Sequence, residues 1–287
     1  MPITVQNLSY TYSENTPMAV KALENVTLTI HEGEFIGIIG HTGSGKSTLV
    51  QHLNGLIPVQ SGSITVDDIA LRDSYPKKTV RTRVGMVFQY PEQQLFEETV
   101  AADIAFGPKN MGLSEEEQNR RVRHAMELMA LDYSAIAERS PFELSGGQRR
   151  RVAIAGVLAM EPKYLILDEP AAGLDPEGRR LLLERIMGLH RETGIAVVMV
   201  SHSMDDIARC AQRVIVMEKG RIVNIGKPEE VFADAEKMEQ LGLGVPTMAK
   251  VRDRLREAGL AVAFAATPEK MAENIAAALK DRGQRDV

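Results

Sequence analysis

The chain has 287 residues, 44% of them hydrophobic and 25% charged, and carries a net charge of −5. That length suits one large domain or two modest ones, and the acidic balance gives no basic field for a nucleic-acid partner. One cysteine, Cys210, excludes an intrachain disulfide, the N-terminal MPITVQNLSYTY has no leader pattern, and no run approaches the roughly 18 apolar residues of a spanning helix, so any membrane role is expected to be peripheral.

Val26–Ile30 alternates apolar and polar residues, as a half-buried strand does. Glu34–Gly40 (EFIGIIG) is a short apolar run closed by glycine and reads as a buried strand, followed by a helical pattern over Lys46–Leu56. Ser63–Val66 and Val84–Gln89 read as further strands. Between about Pro91 and Met160 the pattern is helical, and Ser114–Met129 opens on glutamates and repeats apolar residues at Val122, Ala125, Met126 and Met129. Tyr164–Asp168 (YLILD) and Ala196–Ser201 (AVVMVS) are apolar strands with a crossover helix, Leu181–His190, between them. Strands alternating with helices predict an α/β fold with a mostly parallel sheet. After Pro228 the composition shifts, and residues 231–287 read as a small α/β appendage to a main domain of residues 1–230. In it, helices over Thr247–Ala258 and Pro268–Lys280 flank a strand-like Ala261–Ala265, and Asp281–Val287 is expected to fray.

Gly40, His41, Thr42, Gly43, Ser44, Gly45, Lys46 and Ser47 spell GHTGSGKS, a phosphate-binding loop between an apolar strand and a helix. Its glycines let the backbone turn N–H groups onto a phosphate chain, and the helix N-terminus adds positive potential. Lys46 is expected to reach the β- and γ-phosphates of ATP and Ser47 to ligate Mg²⁺, with Thr48 completing the ATP-binding segment. Asp168 ends the YLILD strand, where such folds place an acidic group that completes the Mg²⁺ shell. Glu169 follows at once. Two adjacent carboxylates after a buried strand are costly unless they meet a cation or water. Asp168 suits the cation, and Glu169 suits polarising an attacking water.

Leu144, Ser145, Gly146, Gly147 and Gln148 (LSGGQ) stand before a second helical run, Gln148–Met160. A serine hydroxyl and free amides at a helix N-terminus suit an anion, although Ser145 would equally serve as an ordinary cap. The first loop already grips one nucleotide, and this one lies in the helical insert. One chain thus carries two phosphate half-sites. A two-fold or pseudo-two-fold dimer, in which each chain's second loop closes over the other's nucleotide, accommodates both.

GHTGSGKS, Gln89, LSGGQ, YLILDEP, Gly173-Leu174-Asp175 and His202 occur in the order found in ABC transporter ATPases, and residues 1–230 resemble that family. The resemblance implies a P-loop NTPase (RecA-like) core, an N-terminal antiparallel β subdomain and an inserted α-helical subdomain over about residues 92–160. It implies ATP and Mg²⁺ as cofactors and a membrane location on the cytoplasmic face. Gln89 becomes the residue that contacts Mg²⁺ or water and senses a membrane subunit, Asp175 a carboxylate at the dimer seam, and His202 a contact to the γ-phosphate. Tyr12 resembles the aromatic that stacks on adenine, with Tyr10, two positions away, as the alternative.

A narrower resemblance rests on QYPEQQLFEETV (Gln89–Val100) and QRRRVAIAGVLAM (Gln148–Met160), which are similar to the ATPases of energy-coupling factor (ECF) transporters, importers of vitamins and transition-metal ions. His41-Thr42 in the phosphate loop resembles the second ATPase of that family's heterodimer. Ala171 departs from the usual Thr, and Tyr90 from the usual Phe. The implied partners are a second ABC ATPase, a transmembrane coupling subunit and a substrate-binding membrane subunit. Pro91, Glu92, Leu95, Phe96, Glu97 and Glu98 would receive arginine-bearing coupling helices, and the C-terminal extension would help to hold the dimer. Lys77, Lys78, Arg81 and Arg83 read as a solvated edge, and Arg149–Arg151 as helix surface or dimer interface. The segment after Gln89 argues against a conventional ABC importer or exporter. A soluble ABC protein acting on ribosomes or DNA usually has two cassettes or a long coiled-coil insertion, and a kinase-like transferase has no use for LSGGQ.

Overall fold

The computed structural model describes residues 1–72 and 74–285. The strands are β1 (Ile3–Tyr12), β2 (Val20–Ile30), β3 (Phe35–Ile39), β4 (Ser61–Val66), β5 (Ile69–Ala70), β6 (Val84–Val87), β7 (Tyr164–Asp168), β8 (Ala196–Val200), β9 (Arg213–Glu218) and β10 (Arg221–Gly226). They form two sheets, an antiparallel one in the order β2-β1-β4-β5 and a mostly parallel one in the order β10-β9-β3-β8-β7-β6. Every residue of β3, β7 and β8 is buried, which is why they read as unbroken apolar runs: helices or a second sheet cover both faces.

The helices are α1 (Lys46–Leu53), α2 (Lys77–Arg83), α3 (Val100–Met111), α4 (Glu115–Leu128), α5 (Tyr133–Ile136), α6 (Gly146–Leu158), α7 (Pro176–Thr193), α8 (Met204–Cys210), α9 (Pro228–Val231), α10 (Ala235–Gln240), α11 (Thr247–Glu257) and α12 (Pro268–Arg285). Side-chain caps set several starts: Thr99 accepts from the Ala102 amide, Ser114 from Glu117 and Ser203 from Asp206. Alternation along the parallel strands divides the interior in two. Phe35, Leu165, Leu167, Val197 and Met199 face α3, α4, α6, α7 and α8. Ile36, Ile38, Ile166, Val198 and Val200 face α1 and the antiparallel sheet.

Three expectations change. β9 and β10 lie outside the strands expected from sequence; they turn on Lys219 and Gly220, whose φ angles of 46° and 78° suit a tight hairpin. Ala261–Ala265 forms no strand, because no sheet edge meets it; Leu260, Val262 and Ala265 instead pack with Met271 in a small cluster beside α11 and α12. The appendage is therefore helical among the described residues. Helix α12 continues through Arg285 where fraying was expected, and residues 286–287 of that expectation lie outside the described residues. Val231, Phe232, Met238, Leu243, Val245 and Ala249 join the larger cluster, so the first part of the extension is built on the main core.

Asp67 ties the two sheets together. It sits in the β4–β5 turn with its side chain 1% exposed, accepts hydrogen bonds from Tyr164 Oη and Lys163 Nζ at 3.1 Å each, and lies 3.3 Å from Arg83. Lys163 immediately precedes β7 and Tyr164 opens it, so this carboxylate anchors the strand that ends in Asp168. Asp67→Ala should lower the unfolding free energy by about 2 kcal/mol, the scale of lost hydrogen bonds to a charged group. Urea unfolding measures it, and an unchanged midpoint would remove Asp67 from this role.

Candidate active site

Parallel register brings the sequence-predicted residues to one edge. Ile38 of β3 and Asp168 of β7 both pair with Val200 of β8, and Val87 of β6 pairs with Leu167. The loops that follow these strands carry Gly40–Ser47, Gln89, Asp168-Glu169 and His202. Open α/β sheets bind ligands at this carboxyl edge.

The first loop requires glycine where the backbone is crowded. A Cβ on Gly40 would lie 2.4 Å from the Met217 carbonyl and from Ser44 Oγ; on Gly45, at φ +100°, it would lie 2.5 Å from the Ala22 carbonyl. Gly45 starts α1 without a side-chain cap, which leaves first-turn amides for an anion. Lys46 is 6% exposed and donates to the carbonyls of Gly40 (2.7 Å) and His41 (3.0 Å). Burial holds its ammonium below the usual lysine range, against the pull of Glu169 and Asp168. His41 is half-buried and Thr42, Gly43 and Ser47 are exposed, whereas Ser44 is buried with an unpartnered Oγ. Thr48 is buried and its hydroxyl meets Tyr12 Oη at 3.2 Å.

Tyr10 and Tyr12 meet edge-to-face at 4.8 Å, and Tyr10 also packs on the edge of buried His52. Tyr10 thus belongs to the wall around α1, while Tyr12 is the more exposed ring beside the first loop.

Asp168 is 8% exposed, and burial pushes its carboxyl up, opposed by Ser47, Lys46 and His202. The Glu169 carboxyl is pushed up to about 7, first by burial and then by Asp168. Glu169 adopts a left-handed φ of 51°, costly for a residue with a side chain, and its amide is fixed on the Val200 carbonyl at 3.0 Å. Its Oε1 is buried without a hydrogen bond, 3.5 Å from His202 Nε2. Partial burial, then the Lys46 ammonium, holds the His202 imidazole below its ordinary range. Gln89 is exposed two residues beyond β6.

The second loop lies elsewhere. Ser145 caps α6 reciprocally: its Oγ accepts from the Gln148 amide at 3.3 Å, and its own amide donates to Gln148 Oε1 at 3.0 Å. Leu144 is buried and anchors the turn, while Ser145 and Gly146 are exposed. Ser145, Gly146, Gly147, Gln148 and Asp175 line one cleft of about 460 Å³, to which no residue of 40–48 contributes. Asp175 also caps α7 through the Gly178 amide at 2.8 Å.

The expected docking segment is corrected at Glu92. Its carboxylate is not free for a partner's arginine, because Arg150 of the same chain holds it at 2.6 and 2.9 Å. Arg150 is 2% exposed, so it is neither helix surface nor dimer interface. The signal was present: Arg150 stands four residues before Ile154 and eight before Leu158, on the buried stripe of α6. Pro91 and Leu95 are buried, Glu97 is half-buried, and Phe96 and Glu98 remain exposed. Phe96 meets Phe106 edge-to-face at 4.9 Å over a groove of about 860 Å³. Lys77, Lys78 and Arg81 line that groove rather than a plain solvated edge, while Arg83 pairs with Asp67 and Asp68.

Residues 23–172 match the family model described as ABC transporter. An energy-coupling factor transporter ATP-binding protein of Symbiobacterium thermophilum is 56% identical over 263 residues, 91% of each chain. This chain belongs to the energy-coupling factor ATP-binding proteins of the ABC transporter family. Among solved structures, cbiO1 from Clostridium perfringens, described as part of the ABC transporter complex cbiONQ, aligns with a TM-score of 0.74 and 38% identity over 88% of this chain and 98% of its own. The ATP-binding cassette MJ0796, a dimer in a post-hydrolysis state with ADP and Pi, aligns with a TM-score of 0.69 and 30% identity over 79% of this chain and 98% of its own.

As an energy-coupling factor ATPase, the chain binds ATP and hydrolyses it to drive transport. Among the described residues no helix is long and apolar enough to cross a membrane. The expectation that Glu169 directs the attacking water is tested by Glu169→Gln, which should retain ATP but lose turnover by about 10²-fold or more. Phosphate release and ATP binding measured together test this; near wild-type hydrolysis would remove the assignment.

Proposed function

We propose that the chain energises uptake of a vitamin or transition-metal ion from the cytoplasmic face of the membrane, as one half of a paired ATPase whose sites are completed across the pair. The observation that carries this reading is the separation of the two phosphate cradles: the cleft around Ser145 and Asp175 shares no residue with the loop at Gly40–Ser47. A single nucleotide does not need both from one chain. A dimer puts the second loop of one cassette over the nucleotide of the other.

ATP binds along residues 40–48, with its adenine on Tyr12 and its phosphates on the loop amides. The Lys46 ammonium turns from the Gly40 and His41 carbonyls to phosphate oxygens. Ser47, Asp168 and Gln89 are the groups that would hold Mg²⁺. A hydroxyl and one carboxylate beside phosphate oxygens is the donor set this hard cation takes. The raised Asp168 carboxyl and the unpartnered Glu169 oxygen fit a nearby cation. When bound, Mg²⁺ neutralises charge on the β- and γ-phosphate oxygens. Glu169 accepts a hydrogen bond from the attacking water and directs it to phosphorus. His202 donates to the γ-phosphate, and the partner cassette's loop equivalent to LSGGQ stabilises its far side.

Phe96, Glu97 and Glu98 meet arginine-bearing helices of a transmembrane coupling subunit, on a surface shaped by buried Pro91 and Leu95. Residues 231–287 help to hold the ATPase pair. A separate membrane subunit binds the transported solute. Affinity purification of the tagged chain from membranes should recover a second, similar ATPase and a transmembrane protein. Recovery of a self-dimer on a conventional permease alone would overturn the energy-coupling factor assembly.

A further inference from the structure

We propose that Arg150 is a positioning residue that joins the docking segment to the loop behind Glu169, so that movement of one is felt by the other. The inference rests on reading 91–98 as the docking segment.

The guanidinium makes four hydrogen bonds from a site only 2% exposed. Nε and Nη2 grip the Glu92 carboxylate at 2.9 and 2.6 Å, a bidentate fork. Nη1 donates to the carbonyls of Pro170 at 3.2 Å and Ala172 at 2.6 Å. Glu92 lies in the single turn Pro91–Gln94, and Pro170–Ala172 is the turn that leaves Glu169, closed by the Ala172 amide on the Glu169 carbonyl at 3.1 Å. Arg150 itself stands in the first turns of α6, just behind the LSGGQ loop. One rigid, planar group therefore fixes three functional segments at once.

A second contact runs parallel to it. Tyr90 takes a left-handed φ of 55° between Gln89 and Pro91. Its ring lies 5.9 Å from the Arg150 guanidinium carbon, and a Cβ placed on Gly173 would be 3.4 Å from it. Gly173 belongs to the turn that reaches Asp175. Displacement of the docking segment would thus load the backbone of 170–173 from two sides. Glu169 is constrained between that turn and Val200 in a conformation with little slack, so it would feel the load.

Lysine cannot replace this group. Its compact ammonium carries a point charge, without the planar fork that reaches a carboxylate and two carbonyls together. Arg150→Lys keeps the charge and breaks the fork. Glu92→Gln leaves both carbonyl bonds and weakens only the docking side.

The test is amide hydrogen exchange of the full chain, purified with its partner cassette, with and without MgATP at the saturating concentration set by each variant's own binding curve. In the wild type, MgATP should slow exchange both at 170–174 and at 90–96, by about fivefold or more at the second segment. In Arg150→Lys and Glu92→Gln the response should persist at 170–174 and vanish at 90–96. A purely stabilising Arg150 would raise exchange in both segments without separating their responses to nucleotide. A wild-type response confined to 170–174, or one at 90–96 that survives both substitutions, overturns the proposal. If Arg150→Lys does not fold, Glu92→Gln decides it. The docking reading fails separately: it falls if a Phe96→Ala, Glu97→Gln, Glu98→Gln variant still recovers the transmembrane subunit in full, whatever exchange shows.

Discussion

Asp168 ends a strand buried along its whole length and Glu169 follows it at once, so two neighbouring carboxyl groups are drawn from water together. Each is pushed up by burial, Glu169 to about 7, and both are opposed by the Lys46 ammonium, itself held down by burial. One ammonium and two carboxyls in a poorly solvated corner are matched to a polyanion arriving with a cation. The architecture around them serves that corner. The parallel register of β3, β6, β7 and β8 brings four loops to it, and Asp67 pins the start of β7 to the antiparallel sheet. The left-handed backbone at Glu169 turns the chain sharply where the strand ends.

That corner is chemically unfinished in one chain. Lys46, Ser47, Asp168, Glu169 and His202 gather at the carboxyl edge of the parallel sheet, whereas Ser145, Gly146 and Asp175 line a cleft of their own. The helical insert that carries Ser145 also carries the surface beside Phe96. In the proposed assembly one segment therefore meets both the partner cassette and the membrane partner. Arg150 lies where those duties meet.

The parts of the fold legible in sequence were those whose cause is local. Phe35–Ile39, Tyr164–Asp168 and Ala196–Val200 announced themselves because strands covered on both faces must be apolar throughout. The first glycine loop was legible because crowding and left-handed φ leave little but glycine, as at Gly40 and Gly45; Gly146 and Gly147 meet no such crowding, and the second loop was legible from its place before a helix. What was not legible depends on distant partners. Ala261–Ala265 is a short apolar run that reads as a strand but packs into a small helical cluster with Met271 instead. The spacing of Arg150 along α6 marks it as inward-facing, but its partner Glu92 stays hidden until the fold joins residues 58 apart in sequence. Lys77, Lys78 and Arg81 became a groove wall only when α2 was set beside α3 and α6.

The claim on which the whole account turns is that the LSGGQ loop serves a nucleotide on another chain. Ser145→Arg in this chain tests it directly, with nucleotide affinity of the isolated chain and MgATP-driven association with the partner cassette measured side by side. Affinity should stay at the wild-type value while association in MgATP is lost. Reduced ATP affinity in the isolated Ser145→Arg chain, or association as tight as wild type, would contradict it.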